Sequence, residues 1–194
     1  MLTCKKVALA AGLWYIAAMH FAPQETRTYM VTTVTVQRRR LFQVTPTAEL
    51  LERTILDYRD QGRFLLHAYV IMPDHLHTLI TPASDVSLEK AMQFIKGGFS
   101  FRLKSKLDVW ERSFNESQIS TEEKFMSCMR YIHENPVRRG LVATAQEYRF
   151  SSIARALDPM PVHLREDKAR APSVRNPMKG ILLFRASQER LWEP

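Results

Sequence analysis

His75 and His77 stand one residue apart in the run Ala68-Tyr-Val-Ile-Met-Pro-Asp-His-Leu-His-Thr-Leu-Ile-Thr81. Apolar and polar residues alternate around the pair, which predicts a strand, and on a strand both histidines share a face while Leu76 takes the other. Two neutral imidazoles aimed at one spot are what a divalent metal requires. A second group follows in Lys124, Tyr131 and Asn135, which lie along one edge of a predicted helix. A phenol can attack phosphorus, an amide oxygen can join imidazoles on a metal, and an ammonium can neutralise a phosphate. If that edge meets the histidine face, the parts of a phosphoryl-transfer site with a covalent phosphotyrosine are assembled. Such a link conserves the ester bond, so a nucleic acid strand could be rejoined; simple hydrolysis would not need it. Each residue also has an ordinary role open to it. The histidines could face solvent on an edge strand, Tyr131 could be a half-buried aromatic, Asn135 a helix C-cap and Lys124 a solvated charge.

The elements that would position these groups follow from periodicity. Residues 29–36 are rich in β-branched side chains and read as a first strand, followed by the basic cluster Arg38, Arg39 and Arg40. Thr47 can cap a helix carrying Leu51, Ile55 and Tyr58, with Gly62 as its stop. Phe64 to Met72 is a second strand, Pro73-Asp74 a break, and His75 to Thr81 a continuing strand. Ser87 caps a helix bearing Leu88, Met92, Ile95 and Phe99, weakened by Gly97-Gly98 and basic at its far end, where Arg102 and Lys104 stand. Trp110 and Phe114 anchor a connecting segment, and Ser120 to Glu123 reads as a capping box opening a third helix. Phe125, Cys128, Met129 and Ile132 form its core stripe, and Pro136 should stop it at Asn135. Residues 137–142 then read as a turn into a short strand or coil. The stretch from Asp158, with one apolar patch at Gly180 to Phe184, reads as a loosely attached tail.

A chain of 194 residues supports one domain. It is short for a (β/α) barrel of roughly 250 residues, the usual home of metal-dependent hydrolases with a His-x-His strand. The balance of 28 Lys and Arg against 20 Asp and Glu, a net charge of +8, suits a polyanionic partner. Arg38, Arg39, Arg40, Arg102, Lys104 and Lys124 are the candidate phosphate contacts. Cys4 and Cys128 are too few for a disulfide framework or a thiolate zinc site, which points to a reducing, cytoplasmic setting. Lys5-Lys6 followed by residues 7–19 resembles the start of a secretory signal, yet Gly12, Trp14 and Tyr15 make an imperfect core and the stretch is too short to span a bilayer. It is read as an extension ahead of the first strand, with no membrane association expected. The division is thus 1–26 extension, 27–157 domain and 158–194 basic tail.

From about Tyr29 to Ser152 the chain resembles the single-tyrosine transposases of the HUH endonuclease superfamily, and most closely the REP-associated tyrosine transposases. The resemblance rests on Val70-Ile-Met-Pro-Asp-His-Leu-His77, on Tyr131-Ile-His-Glu-Asn-Pro-Val-Arg-Arg-Gly-Leu-Val142, on Trp110-Glu-Arg-Ser-Phe114 and on Tyr148-Arg-Phe-Ser-Ser152, in that family's order. It implies an α+β fold, a ferredoxin-like antiparallel sheet with helices packed on one face. It also implies Tyr131 as nucleophile, Mg²⁺ or Mn²⁺ on His75, His77 and Asn135, and a link to the 5′ phosphate. The implied partner is single-stranded DNA, often an imperfect hairpin with a flanking tetranucleotide; whether the chain acts as a homodimer or a monomer stays open. One departure is Ile119-Ser120, where many members carry Ile-Arg. Two other readings stand beside this one: a DNA-hairpin binder that no longer cleaves, and a metal-dependent hydrolase without a covalent step. Metal-dependent formation of a protein–DNA adduct separates the three.

Overall fold

The β-branched and apolar runs form four strands in the computed structural model, which describes residues 26–106 and 108–165. The strands β1 (Thr28–Val34), β2 (Phe64–Ile71), β3 (His75–Pro82) and β4 (Asn115–Ile119) make one antiparallel sheet in the order β2-β3-β1-β4. A tight turn joins β2 to β3, closed by the Met72 amide donating to the His75 carbonyl at 2.8 Å. The strand β4 is a finding beyond the sequence reading, which took Trp110 and Phe114 as anchors of a plain connection. Its sequence, Asn-Glu-Ser-Gln-Ile, lacks the alternation that marks a strand, and it is held by pairing with β1.

The α+β class with an antiparallel sheet is as expected. Helices α1 (Thr45–Asp60) and α2 (Leu88–Leu103) pack on one face, over Val31, Leu66, Ile71, Leu76 and Ile80. Helix α3 (Glu122–Arg138) covers the opposite face, laying Phe125, Cys128 and Ile132 on Met30, Ala68, Val70 and Leu79. The expected single helical layer therefore holds α1 and α2, while α3 lies across the sheet from them. The physical reason is that alternate residues of the central strands are apolar on both faces, and neither can be left to water. A bulge between Leu66 and Ala68 resets the alternation of β2 and turns His67 toward Phe125.

Three helix termini differ from the reading. Helix α1 starts at Thr45, with Val44 as an N-cap that makes no side-chain bond, so Thr47 lies inside the first turn; Pro46 fits there because its missing N–H has no partner to lose. The cap of α3 is Thr121, whose Oγ1 accepts from the Lys124 amide at 3.2 Å, rather than a box opened by Ser120. Helix α3 also runs through Pro136 to Arg138 instead of stopping at Asn135. Proline forfeits one backbone bond, and the last turn is recovered by a Schellman closure in which Gly140, at φ 65°, donates to Val137 and Leu141 donates to Pro136, both at 2.9 Å. Ser87 does cap α2, accepting from the Lys90 amide at 3.2 Å.

Beyond α3 the chain returns along β2. Ser151 bridges to Val70, and the Ile71 amide donates to the Phe150 carbonyl at 2.9 Å. Asp158, read from the sequence as the start of a loose tail, is instead tied down. It takes two bonds of 2.8 Å from Arg59 and one of 2.8 Å from the Leu66 amide. The extension before residue 26 and the apolar patch at Gly180 to Phe184 lie outside the described residues. No helix among the described residues is long and apolar enough to cross a membrane.

Candidate functional site

His77 sits on β3 directly opposite Thr32 of β1, and its Nδ1 lies 2.7 Å from the Thr32 hydroxyl. His75, two residues earlier on the same face, places Nδ1 2.6 Å from the Asp74 carboxylate. With the δ nitrogens so engaged, each ring is oriented through its ε nitrogen. The two rings stand edge to face, 4.7 Å between centroids. Helix α3 crosses this face and brings two more groups. The Asn135 amide donates to His77 Nε2 at 3.3 Å, and the half-buried Tyr131 ring lies edge-on to His77 at 5.6 Å. Tyr131 and Asn135 are one turn apart, so a single helix orientation delivers both.

Electrostatics favour neutral imidazoles. Burial pushes His77 well below its ordinary range, assisted by His75 and by the Arg139 guanidinium. Burial also lowers His75, although the Asp74 carboxylate pulls the other way. Asp74 is raised by burial but held below the usual carboxylate range overall by its bond to His75 and by Arg38. Asn135 Oδ1 is buried with no hydrogen-bond partner, an orphaned acceptor of the kind that needs an explanation. Two neutral imidazoles and that oxygen could hold a divalent cation. Among the described residues no cluster of three His, Cys, Asp or Glu could do so. Arg138 stacks its guanidinium over the Tyr131 ring at 5.5 Å.

The structure thus brings together four of the residues singled out in the sequence, His75, His77, Tyr131 and Asn135. It does not bring Lys124 to them: its ammonium donates to the Gln118 carbonyl at 2.7 Å, two turns and roughly 10 Å down the helix from Tyr131. Arg102 is spent between α1 and α2, 2.5 Å from Asp57, and Lys104 is exposed at the C-terminal end of α2. Arg39 braces its own loop through the Val36 and Asp108 carbonyls. Arg38 lies beside the site, 3.5 Å from Asp74, and Arg40 is close by. Sequence reasoning missed Thr32, Asp74 and Arg139. Asp74 and Arg139 lie within the runs already quoted, Asp74 directly beside His75, whereas Thr32 is revealed only by strand register.

Comparison with known proteins identifies the family. The family model described as IS200-like transposase matches residues 24–135, more than half of the chain and a span that includes both histidines, Tyr131 and Asn135. The REP-associated tyrosine transposase of Escherichia coli (strain K12) is 28% identical over 133 residues, covering 66% of this chain and 80% of that protein. A putative REP-associated tyrosine transposase of Haemophilus influenzae is 26% identical over 102 residues, 45% of this chain and 58% of that protein. Among solved structures, a REP-associated tyrosine transposase bound to a REP hairpin shares the fold, with a TM-score of 0.60 at 24% identity over 77% of this chain and 93% of that one. The chain belongs to the IS200-like transposase family.

Proposed function

We propose that the chain cleaves and rejoins single-stranded DNA, presented as a REP-like hairpin with an unpaired flank, through a covalent bond to Tyr131. The observation that carries this reading is the convergence of Tyr131 and Asn135 from α3 on the imidazoles of His75 and His77 from β3. Hairpin recognition is supported by the DNA-bound relative of the same fold. The Tyr131 oxygen forms a bond to phosphorus as the bond from phosphorus to the 3′ oxygen breaks. The phenol proton passes to solvent, the departing 3′ oxygen takes one up, and the 5′ phosphate stays on the tyrosine. In rejoining, a 3′ hydroxyl of another strand attacks the same phosphorus and Tyr131 regains its proton. Nothing is oxidised or reduced, and one ester is exchanged for another.

The chain's own residues do the positioning. Asp74 and Thr32 fix the rings of His75 and His77, burial keeps both neutral, and Arg138 lies over the Tyr131 ring. Mg²⁺ or Mn²⁺ held by His75, His77 and Asn135 would supply a Lewis acid for a non-bridging phosphate oxygen. The orphaned Asn135 oxygen fits that set. Two cysteines, too few for a disulfide framework, suit a reducing, cytoplasmic setting.

The test is His75→Ala and His77→Ala assayed against a hairpin oligonucleotide with an unpaired flank. Mn²⁺-dependent cleavage should fall by about a hundredfold or more, while hairpin affinity in EDTA stays within about twofold, because the metal serves the scissile phosphate and not the stem. Cleavage at the native rate by both variants would contradict the metal assignment.

A further inference from the structure

A cavity of about 310 Å³ opens beside His75, with Arg38, Arg40, Arg139, Asp74 and Leu141 in its wall. This is the lower end of the roughly 300–1,000 Å³ typical of small-ligand pockets. Arg59 and Arg102 each hold an aspartate, and Arg39 braces carbonyls. Among the described residues Arg40 and Arg139 have no carboxylate partner, and Arg38 shares Asp74 with His75. Three guanidiniums therefore face one concave space with a single, already engaged carboxylate, an excess of positive charge that calls for an anion.

The backbone is built to hold them there. Gln37 (φ 56°) and Arg38 (φ 50°) are consecutive non-glycine residues in the left-handed region, which L-residues avoid unless their surroundings enforce it. The enforcement is visible. Thr35 Oγ1 contacts the Arg39 and Asp74 carbonyls at 2.7 and 2.9 Å, and the Gln37 amide donates to Glu111 at 3.0 Å. Arg139 comes from the opposite side, at the Schellman end of α3, four residues beyond Asn135. One helix thus carries the tyrosine, an amide of the site and a wall of the cavity.

We propose that this cavity is a nucleotide subsite, in which Arg40 and Arg139 grip the phosphate neighbouring the scissile one on an unpaired strand and Arg38 leaves Asp74 to join them. The substrate class rests on the strand-transfer reading; the subsite does not depend on cleavage. Guanidinium forks bind phosphate bidentately, and the apolar walls from Met72 and Leu141 can take the sugar or base edge.

The test is anisotropy with a fluorescent single-stranded oligodeoxythymidine in EDTA, where no cleavage interferes. Arg40→Ala and Arg139→Ala should each weaken binding about tenfold and lower the salt slope by about 0.7, the contribution of one phosphate on a single strand. Arg63→Ala removes the same charge beside the Phe64–Pro82 end of the sheet and should stay within about twofold. Arg139→Lys, which keeps the charge but loses the fork, should fall between. The three side chains are exposed, so thermal midpoints should not move. If Arg40→Ala and Arg139→Ala weaken binding no more than Arg63→Ala, the subsite is overturned, whether or not Tyr131 forms an adduct. Selective loss of binding with no adduct in Mn²⁺ would support the subsite and contradict the strand-transfer reading.

Discussion

Protonation at the site is decided by desolvation residue by residue. His77 is enclosed and its charged form is disfavoured; His75 keeps a carboxylate on Nδ1 yet is still lowered by burial. Both therefore offer lone pairs at neutral pH. The pairing of these histidines could be read from strand alternation, and the companionship of Tyr131 and Asn135 from helical spacing, because both are local periodicities. Their partners could not. Thr32 meets His77 through the register of β1 on β3, 45 residues apart in sequence. Lys124 was legible as a helix-edge cation but not as a donor to Gln118, since a long flexible side chain takes the nearest carbonyl its loop provides.

At the scale of elements, strands and helices with strong patterns were visible in the sequence, and the failures have particular causes. The strand β4 has no pattern of its own, and Pro136 is absorbed by a C-terminal closure that restores the lost turn. Gly97-Gly98 looked like a weakness in α2, and one half of the pair turns out to be a contact. A Cβ on Gly98 would lie 2.5 Å from Tyr58 Cε2, where α1 meets α2, whereas one on Gly97 would find only Gln93 Cγ at 3.8 Å. Tyr58 is itself stacked on Phe94 at 5.1 Å and cannot withdraw freely. Gly98→Ala should thus cost about 1–3 kcal/mol of stability by overpacking, while Gly97→Ala should gain about 0.5–1 kcal/mol from helix propensity. Urea unfolding midpoints of the two variants against the native chain check this; equal effects would contradict the close approach of α1 and α2.

Across the whole molecule, a sheet covered on both faces buries several histidines. His67, His75, His77 and His133 are all lowered by burial from the ordinary 6.5. His67 lies within a polar chain, 3.0 Å from the Asp158 carbonyl and 2.8 Å from the Thr81 hydroxyl. Below pH 6.5 the unfolded chain binds protons that the folded one refuses, so stability rises with pH in that window and is lost on acidification. The urea midpoint should be clearly lower at pH 5.5 than at pH 7.5, at equal ionic strength. An unchanged or higher midpoint at pH 5.5 would mean these imidazoles are not held neutral.

The central claim is that Tyr131 is a nucleophile toward DNA. It is tested most directly by incubating the native chain with a hairpin oligonucleotide bearing an unpaired flank in Mn²⁺, denaturing, and mapping any covalent nucleotide by peptide mass spectrometry. The account predicts a denaturant-stable adduct on Tyr131 through a 5′ phosphate, a released 3′ hydroxyl, and no adduct with Tyr131→Phe despite retained hairpin binding. Efficient cleavage by Tyr131→Phe without any adduct would contradict it in favour of a hydrolase, and binding without cleavage in any metal would leave a hairpin binder.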